Sequence, residues 1–205
     1  MKPLQPFLEQ LTSMHDHLCP RQVLGVRIGL YAADLLGLDL PQTDKRVYAF
    51  VETDGCFSDG VSVASGCWLG HRTMRLIDHG KVAATFVDSE TGKAFRIWPS
   101  PLARERAAEY TPELGHWRAQ LENYQHMPND ELLSASAVEL TLSLSEIISR
   151  PGLRVNCSIC GEEIVNEREV LRNGEPVCSG CAGNNYWRKA EDQPLRTIVR
   201  EPHTI

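Results

Sequence analysis

Cys157-Ser158-Ile159-Cys160-Gly161 and, further on, Arg172-Asn173-Gly174-Glu175-Pro176-Val177-Cys178-Ser179-Gly180-Cys181 make one Cys-x2-Cys-x17-Cys-x2-Cys array. Two thiolates at the tight spacing can meet one ion from a single turn. Two such pairs complete a tetrahedral Zn²⁺ site with no open position. Gly161 allows the tight knuckle after the first pair, and Arg172–Glu175 reads as a two-residue hairpin turn between Val170-Leu171 and Pro176-Val177. A short helix over residues 179–189 is predicted after the last pair. Knuckle, hairpin and helix together make a treble-clef-like finger with structural zinc held by Cys157, Cys160, Cys178 and Cys181. A pair of redox-active Cys-x-x-Cys motifs or disulfides is the competing reading of the same residues.

Working back from the finger, Arg150-Pro151-Gly152 marks a boundary. The expected division is a core domain over residues 1–150, the finger over 151–190 and a polar, proline-punctuated tail over 191–205. A core of about 150 residues can bury a sizeable interior. Hydrophobic residues at 42% and charged residues at 23% are ordinary for a globular protein. The first 30 residues carry charged and polar groups throughout, unlike a signal peptide, and no apolar run reaches spanning length. With seven cysteines this fits a reducing cytoplasm and metal ligation better than a disulfide framework. The net charge of −6 argues against nonspecific nucleic-acid binding, although Arg168, Arg172, Arg188 and Lys189 make the finger locally basic.

In the core, residues 19–37 read as a helix, with Pro20 at its start, Leu24, Ile28, Tyr31 and Leu35 at helical spacing, and Gly37 ending it. Gly25 and Gly29, one turn apart, weaken a helix unless another backbone packs there. Residues 46–51 form a strand, and a second helix runs from an N-cap at Ser58 or Asp59 to about Trp68. Three strands are expected over 73–78, 81–88 and 94–98, with hairpin turns at His79-Gly80 and Thr91-Gly92. Residues 102–124 read as helix interrupted near Pro112, residues 130–135 as a further helical turn. The alternation of Val138, Leu140, Leu142 and Leu144 with polar residues predicts one more strand. The fold class is α+β, with helices on one face of a mixed sheet.

The sharper functional signal is His15-Asp16-His17-Leu18-Cys19-Pro20, with two imidazoles and a thiol just ahead of a helix whose N-terminal dipole favours a thiolate. Cys56, in Glu52-Thr53-Asp54-Gly55-Cys56-Phe57-Ser58-Asp59-Gly60, sits in a second strand-to-helix loop. If the loops face each other, His15 or His17 with Cys19 and Cys56 can bind a metal and leave a position open for water or substrate. Asp16 is a candidate to orient a ligating imidazole. Capping histidines and small buried cysteines are the plainer reading of the same residues. Cys67 falls roughly 12 Å beyond Asp59 on an unbroken helix, which favours core packing over a place beside Cys56. Lys81 reads as a solvated turn residue and as a candidate for chemistry, while His71 and His79 read as surface residues.

These loops resemble the FmdE family, named for a component of molybdenum- or tungsten-dependent formylmethanofuran dehydrogenase. The family pattern is matched by His15–Pro20, Leu24-Gly25-Val26-Arg27-Ile28-Gly29, Glu52–Gly60, Gly66-Cys67-Trp68-Leu69-Gly70 and Gly80-Lys81-Val82-Ala83. It departs at Arg21, where the family has glycine. The resemblance implies a core similar to the non-nucleotide (C-terminal) domain of glyceraldehyde-phosphate dehydrogenase, with a metal near the His-x-His-x-Cys loop. It also implies a homodimer whose fingers reach the partner chain. The residues expected to act are Cys19, Cys56 and Lys81, with His15, Asp59 and Cys67 lining the pocket and His17, His15, Cys19 and Cys56 as ligands. Imidazole with thiolate suits Zn, Ni, Co or Fe as the second metal. The leading expectation is a cytoplasmic subunit or accessory of such a dehydrogenase, or of one-carbon metabolism. An independent metal- or thiol-dependent enzyme and a finger-based binding module with a metal-sensing core are the alternatives.

Overall fold

The structure is a computed structural model that describes residues 2–148 and 150–188. The tail expected from residue 191 onward, and Lys189, lie outside the described residues. The chain divides into two compact units, the first ending at Leu144 and the second beginning at Ser145.

The first unit opens with α1 (Gln5–Met14), which sequence patterning did not single out. Its apolar Phe7, Leu8 and Leu11 share a buried side. Helix α2 (Pro20–Leu36) follows, ending at Gly37 in the left-handed conformation as the sequence suggests. Strand β1 (Val47–Val51) leads to α3 (Cys56–Ser65), then come β2 (Met74–Leu76), β3 (Ala84–Asp88) and β4 (Ala94–Pro99). The polar helices α4 (Ala103–Tyr110) and α5 (His116–Asn123) flank the predicted break, and α6 (Asn129–Leu132) hands directly to β5 (Leu133–Ala137).

The sheet order is β2-β1-β3-β4-β5. β1 and β2 are parallel and the other pairs antiparallel, so the sheet is mixed. Val47, Ala49 and Val51 of β1 join α1, α2 and α3 in one hydrophobic core. His79-Gly80 is therefore not a hairpin turn. β2 and β3 lie on opposite sides of β1, and the segment between them crosses its end, with the His79 and Lys81 amides donating to the Glu52 carbonyl. Thr91-Gly92 does close the β3–β4 hairpin.

Two further expectations need correction. The second helix begins at Cys56, earlier than Ser58, because Gly55 takes φ 74 and turns the chain out of β1; it stops at Ser65 because Gly66 adopts φ 78. The alternating segment from Val138 is not a strand. The β4 edge is already paired by 133–137, and Leu144 opens α7 (Leu144–Ile148). Val138, Leu140 and Leu142 line a cleft with Phe50, Ile77 and Thr85. The alternation thus records a segment that lines a cleft on the sheet face; Val138 still donates its amide to the Ala94 carbonyl at 3.1 Å, and no strand is formed beyond it in the described residues.

The close meeting of α2 and α3 positions everything that follows. A Cβ on Gly25 would stand 2.9 Å from the Gly60 Cα and nearer still to the Phe57 carbonyl oxygen. One on Gly29 would lie 2.6 Å from the Ala64 Cβ. Gly25 meets Gly60 and Gly29 meets Ala64, so the helices run side by side in the same direction. Their N-termini open at the same end.

The second unit is the finger. β6 (Arg154–Asn156) pairs with β7 (Glu163–Val165), and β8 (Val170–Arg172) pairs with β9 (Glu175–Val177) through Asn173 at φ 54 and Gly174 at φ 85. Both turn residues have positive φ, as a tight hairpin loop requires. The final helical turn covers only Gly180–Asn184 and is broken at Gly183 (φ 113), so the predicted helix does not continue through the described residues 185–188.

Candidate functional site

In the finger the four thiols converge. Cys157, Cys160, Cys178 and Cys181 have sulfurs all within 4.8 Å of one another, and the Cys160 Sγ to Cys178 Sγ distance is 3.9 Å. Four thiolates about 2.3 Å from a central Zn²⁺ would stand about 3.8 Å apart at tetrahedral angles, so the donor set fits zinc. The Cys178 amide donates to Cys157 Sγ and the Cys181 amide to Cys178 Sγ, both at 3.3 Å, as knuckles that stabilise thiolates do. Amides aimed at Cys157 hold its thiol near pH 6, while its thiol neighbours, Cys178 first, push Cys181 up to about 12. One thiolate forms easily, and four in so small a space need a cation. Cys157, Ile164 and Val177 make the small core around them.

The core site lies at the shared open end of α2 and α3. Cys19 is the N-cap of α2. Its amide donates to Gln22 Oε1 at 2.6 Å, and its side chain faces the Gln22 amide in a reciprocal capping box. Cys56 is the first residue of α3. Burial pushes the Cys56 thiol up, and a hydrogen bond with the Cys19 side chain pushes it the same way. The two loops therefore do face each other, and Cys19 and Cys56 line one cavity of about 630 Å³. Its walls are supplied by Leu24, Val82 and Ala103, and by Arg21, Arg104, Trp117 and Tyr124.

The other predicted site residues divide. His15 Nε2 lies 3.0 Å from Asp59 Oδ2, so the first turn of α3 holds His15, and the imidazole partner is Asp59 where Asp16 was the candidate. His17 and Lys81 are exposed, and neither lines the cavity. Cys67 is not a pocket residue. It is buried in the hydrophobic core with Sγ donating to the Val47 carbonyl at 3.3 Å, and burial pushes its thiol up to about 11. Among the described residues, the finger quartet is the one group of three or more His, Cys, Asp or Glu whose donor atoms all approach within 4.8 Å; His15, His17, Cys19 and Cys56 do not close to that degree.

Two charged residues of the same motifs hold the frame. Arg27 is 5% exposed and donates to the Tyr124 and Met127 carbonyls and to Asn129 Oδ1 at 2.6–2.7 Å, tying α2 to the segment after α5. Glu52 accepts a bidentate pair from Arg96 at 2.6 and 2.7 Å, joining the end of β1 to β4. Sequence reasoning quoted both residues and gave them no role. A charged residue inside an apolar helix pattern was the available signal for Arg27. The walls from α4 and α5, with Arg104, Trp117 and Tyr124, were missed because those helices carry no motif.

Comparison with known proteins gives three findings. The model of the FmdE family, described as "FmdE, Molybdenum formylmethanofuran dehydrogenase operon", matches residues 14–148. A "Probable S-adenosyl-L-methionine-binding protein" of Archaeoglobus fulgidus is 35% identical over 98 residues, 46% of this chain. The chain spans only 27% of that relative's length. A crystal structure of a tungsten formylmethanofuran dehydrogenase FmdE-like protein from Syntrophus aciditrophicus superposes with a TM-score of 0.56 at 21% identity, covering 90% of this chain and 95% of that one. At that identity the likeness speaks for the fold.

Proposed function

The chain belongs to the FmdE family, and from that premise we propose that it is a metal protein with two centres, serving a molybdenum- or tungsten-dependent dehydrogenase of the formylmethanofuran type. The finger quartet holds structural zinc. The second centre is a transition metal bound by Cys19 and Cys56, with His17 or His15 as the imidazole donor. Zinc, nickel, cobalt and iron all suit that donor set. A metal with an open position there would supply Lewis-acid chemistry or hold a substrate donor atom.

One observation carries this reading: Cys19 and Cys56, from loops 37 residues apart in sequence, line the same ligand-sized cavity. Burial pushes the Cys56 thiol up, so a bound cation would have to offset that cost for it to ligate as a thiolate. The family's link to a dehydrogenase operon supports a role as subunit or accessory within a complex; its place in the cytoplasm is part of the proposal and rests on the seven cysteines of the sequence. A homodimer belongs to the same proposal. No described helix is long and apolar enough to cross a membrane.

Cobalt substitution tests the second centre. Cobalt-loaded protein should show thiolate-to-cobalt absorption from both centres, and Cys19→Ala should remove the core share while the finger share stays. A spectrum unchanged by Cys19→Ala would refute the core centre.

A further inference from the structure

The cavity beside Cys19 and Cys56 is unusual in its charge. The whole chain carries a net charge of −6, yet two guanidiniums and no carboxylate are among the described residues that line this cavity. Arg21 projects from the first turn of α2 and Arg104 from the first turn of α4. Both are exposed, and among the described residues neither is in an ion pair with a carboxylate. Arg104 and the Tyr124 side chain both line the cavity. Behind Cys19, the fully buried Gln22 leaves Nε2 without a hydrogen-bond partner. The amide cannot flip to relieve this, because its Oε1 already accepts from the Cys19 amide.

The remaining walls are flat and apolar. Trp117 is 53% exposed, an indole left half in solvent at the cavity, and Leu24, Val82 and Pro99 continue the apolar surface. A volume of about 630 Å³ falls within the range of small-molecule sites.

We infer that this cavity binds a small anion carrying a planar ring, with its phosphate or carboxylate between Arg21 and Arg104 and its ring against Trp117. Guanidiniums give such a group paired, charge-assisted hydrogen bonds. The indole adds stacking surface. The inference concerns the same cavity as the proposed core metal, but it uses different side chains and does not require the ion.

Two probe pairs test it by calorimetric titration of the full zinc-loaded chain: adenosine 5′-monophosphate against adenosine, and 2-naphthoate against 2-naphthamide. At least one anion should bind saturably at one per chain, with its neutral counterpart weaker by about 10-fold or more. Which anion binds distinguishes a phosphate from a carboxylate ligand. Arg21→Gln/Arg104→Gln should weaken the anion by about 10- to 100-fold, with melting temperature and metal content unchanged. Trp117→Ala should weaken anion and neutral probe alike. The inference fails if neither anion saturates at millimolar concentration. It also fails if neutral probes bind as well as anions, or if the double arginine variant binds like the parent. Metal content of the same samples separates this from the core centre: one equivalent per chain counts against the second metal and leaves the binding result standing.

Discussion

Each half of the Cys19–Cys56 pair depends on a neighbour at the scale of single residues. Gly55, at φ 74, turns the chain so that Cys56 starts α3, and Gln22 ties down the Cys19 amide. Gln22→Ala removes the capping acceptor and should destabilise the core by about 1 kcal/mol, read from the denaturation midpoint. Acid sensitivity sits elsewhere, at Asp88 and Glu52. Hydrogen bonds from Arg46 hold the Asp88 carboxyl well below the usual range, and those from Arg96 lower Glu52. Both folded-state values are depressed, so their stabilisation is present above about pH 4, the ordinary carboxylate range, and is lost as pH falls through the folded values. Acid titration of Asp88→Asn should therefore show a shallower loss of stability below about pH 4 than the parent protein. An unchanged acid limb would contradict the assignment. The finger quartet could be read from sequence because its cysteines fall in two tight pairs, whereas Gln22 as the cap of the Cys19 amide was not read. Asp59 as the partner of His15 could not be read, since that contact spans 44 residues and exists only once α3 is docked.

At the scale of elements, the α2–α3 contact is the device that builds the site. The glycines that look costly in an isolated helix are the ones that let two backbones touch. Gly25→Ala should cost about 2 kcal/mol or more through overpacking. Gly70→Ala, at a glycine with nothing nearby, should stay within about 0.5 kcal/mol, and thermal melts of the pair make the comparison. Periodicity and turn chemistry made α2, β1, β3, β4 and the β8–β9 hairpin legible. They failed for β5 and for the segment after it, where apolar alternation came from covering a sheet face and not from pairing in the sheet. They also failed for the His79-Gly80 turn, because local residues do not reveal that β2 and β3 flank β1 on opposite sides.

For the whole molecule, two compact units hold two kinds of chemistry. Among the described residues the finger's buried apolar core is Cys157, Ile164 and Val177, so a metal held by its four cysteines would supply much of its folding energy. Chelation at neutral pH should abolish the signal of the 145–188 unit in amide exchange while the 2–144 unit stays protected; simultaneous loss of both would contradict independent stabilisation. The core, in contrast, has an extensive hydrophobic interior, which includes Cys67, and places Cys19 and Cys56 at a cavity. Elemental analysis of metal per chain, in the parent protein and in Cys19→Ala/Cys56→Ala, puts the two-centre reading at greatest risk. Two equivalents should fall to one, with the finger still folded. One equivalent in both proteins would contradict the core metal centre.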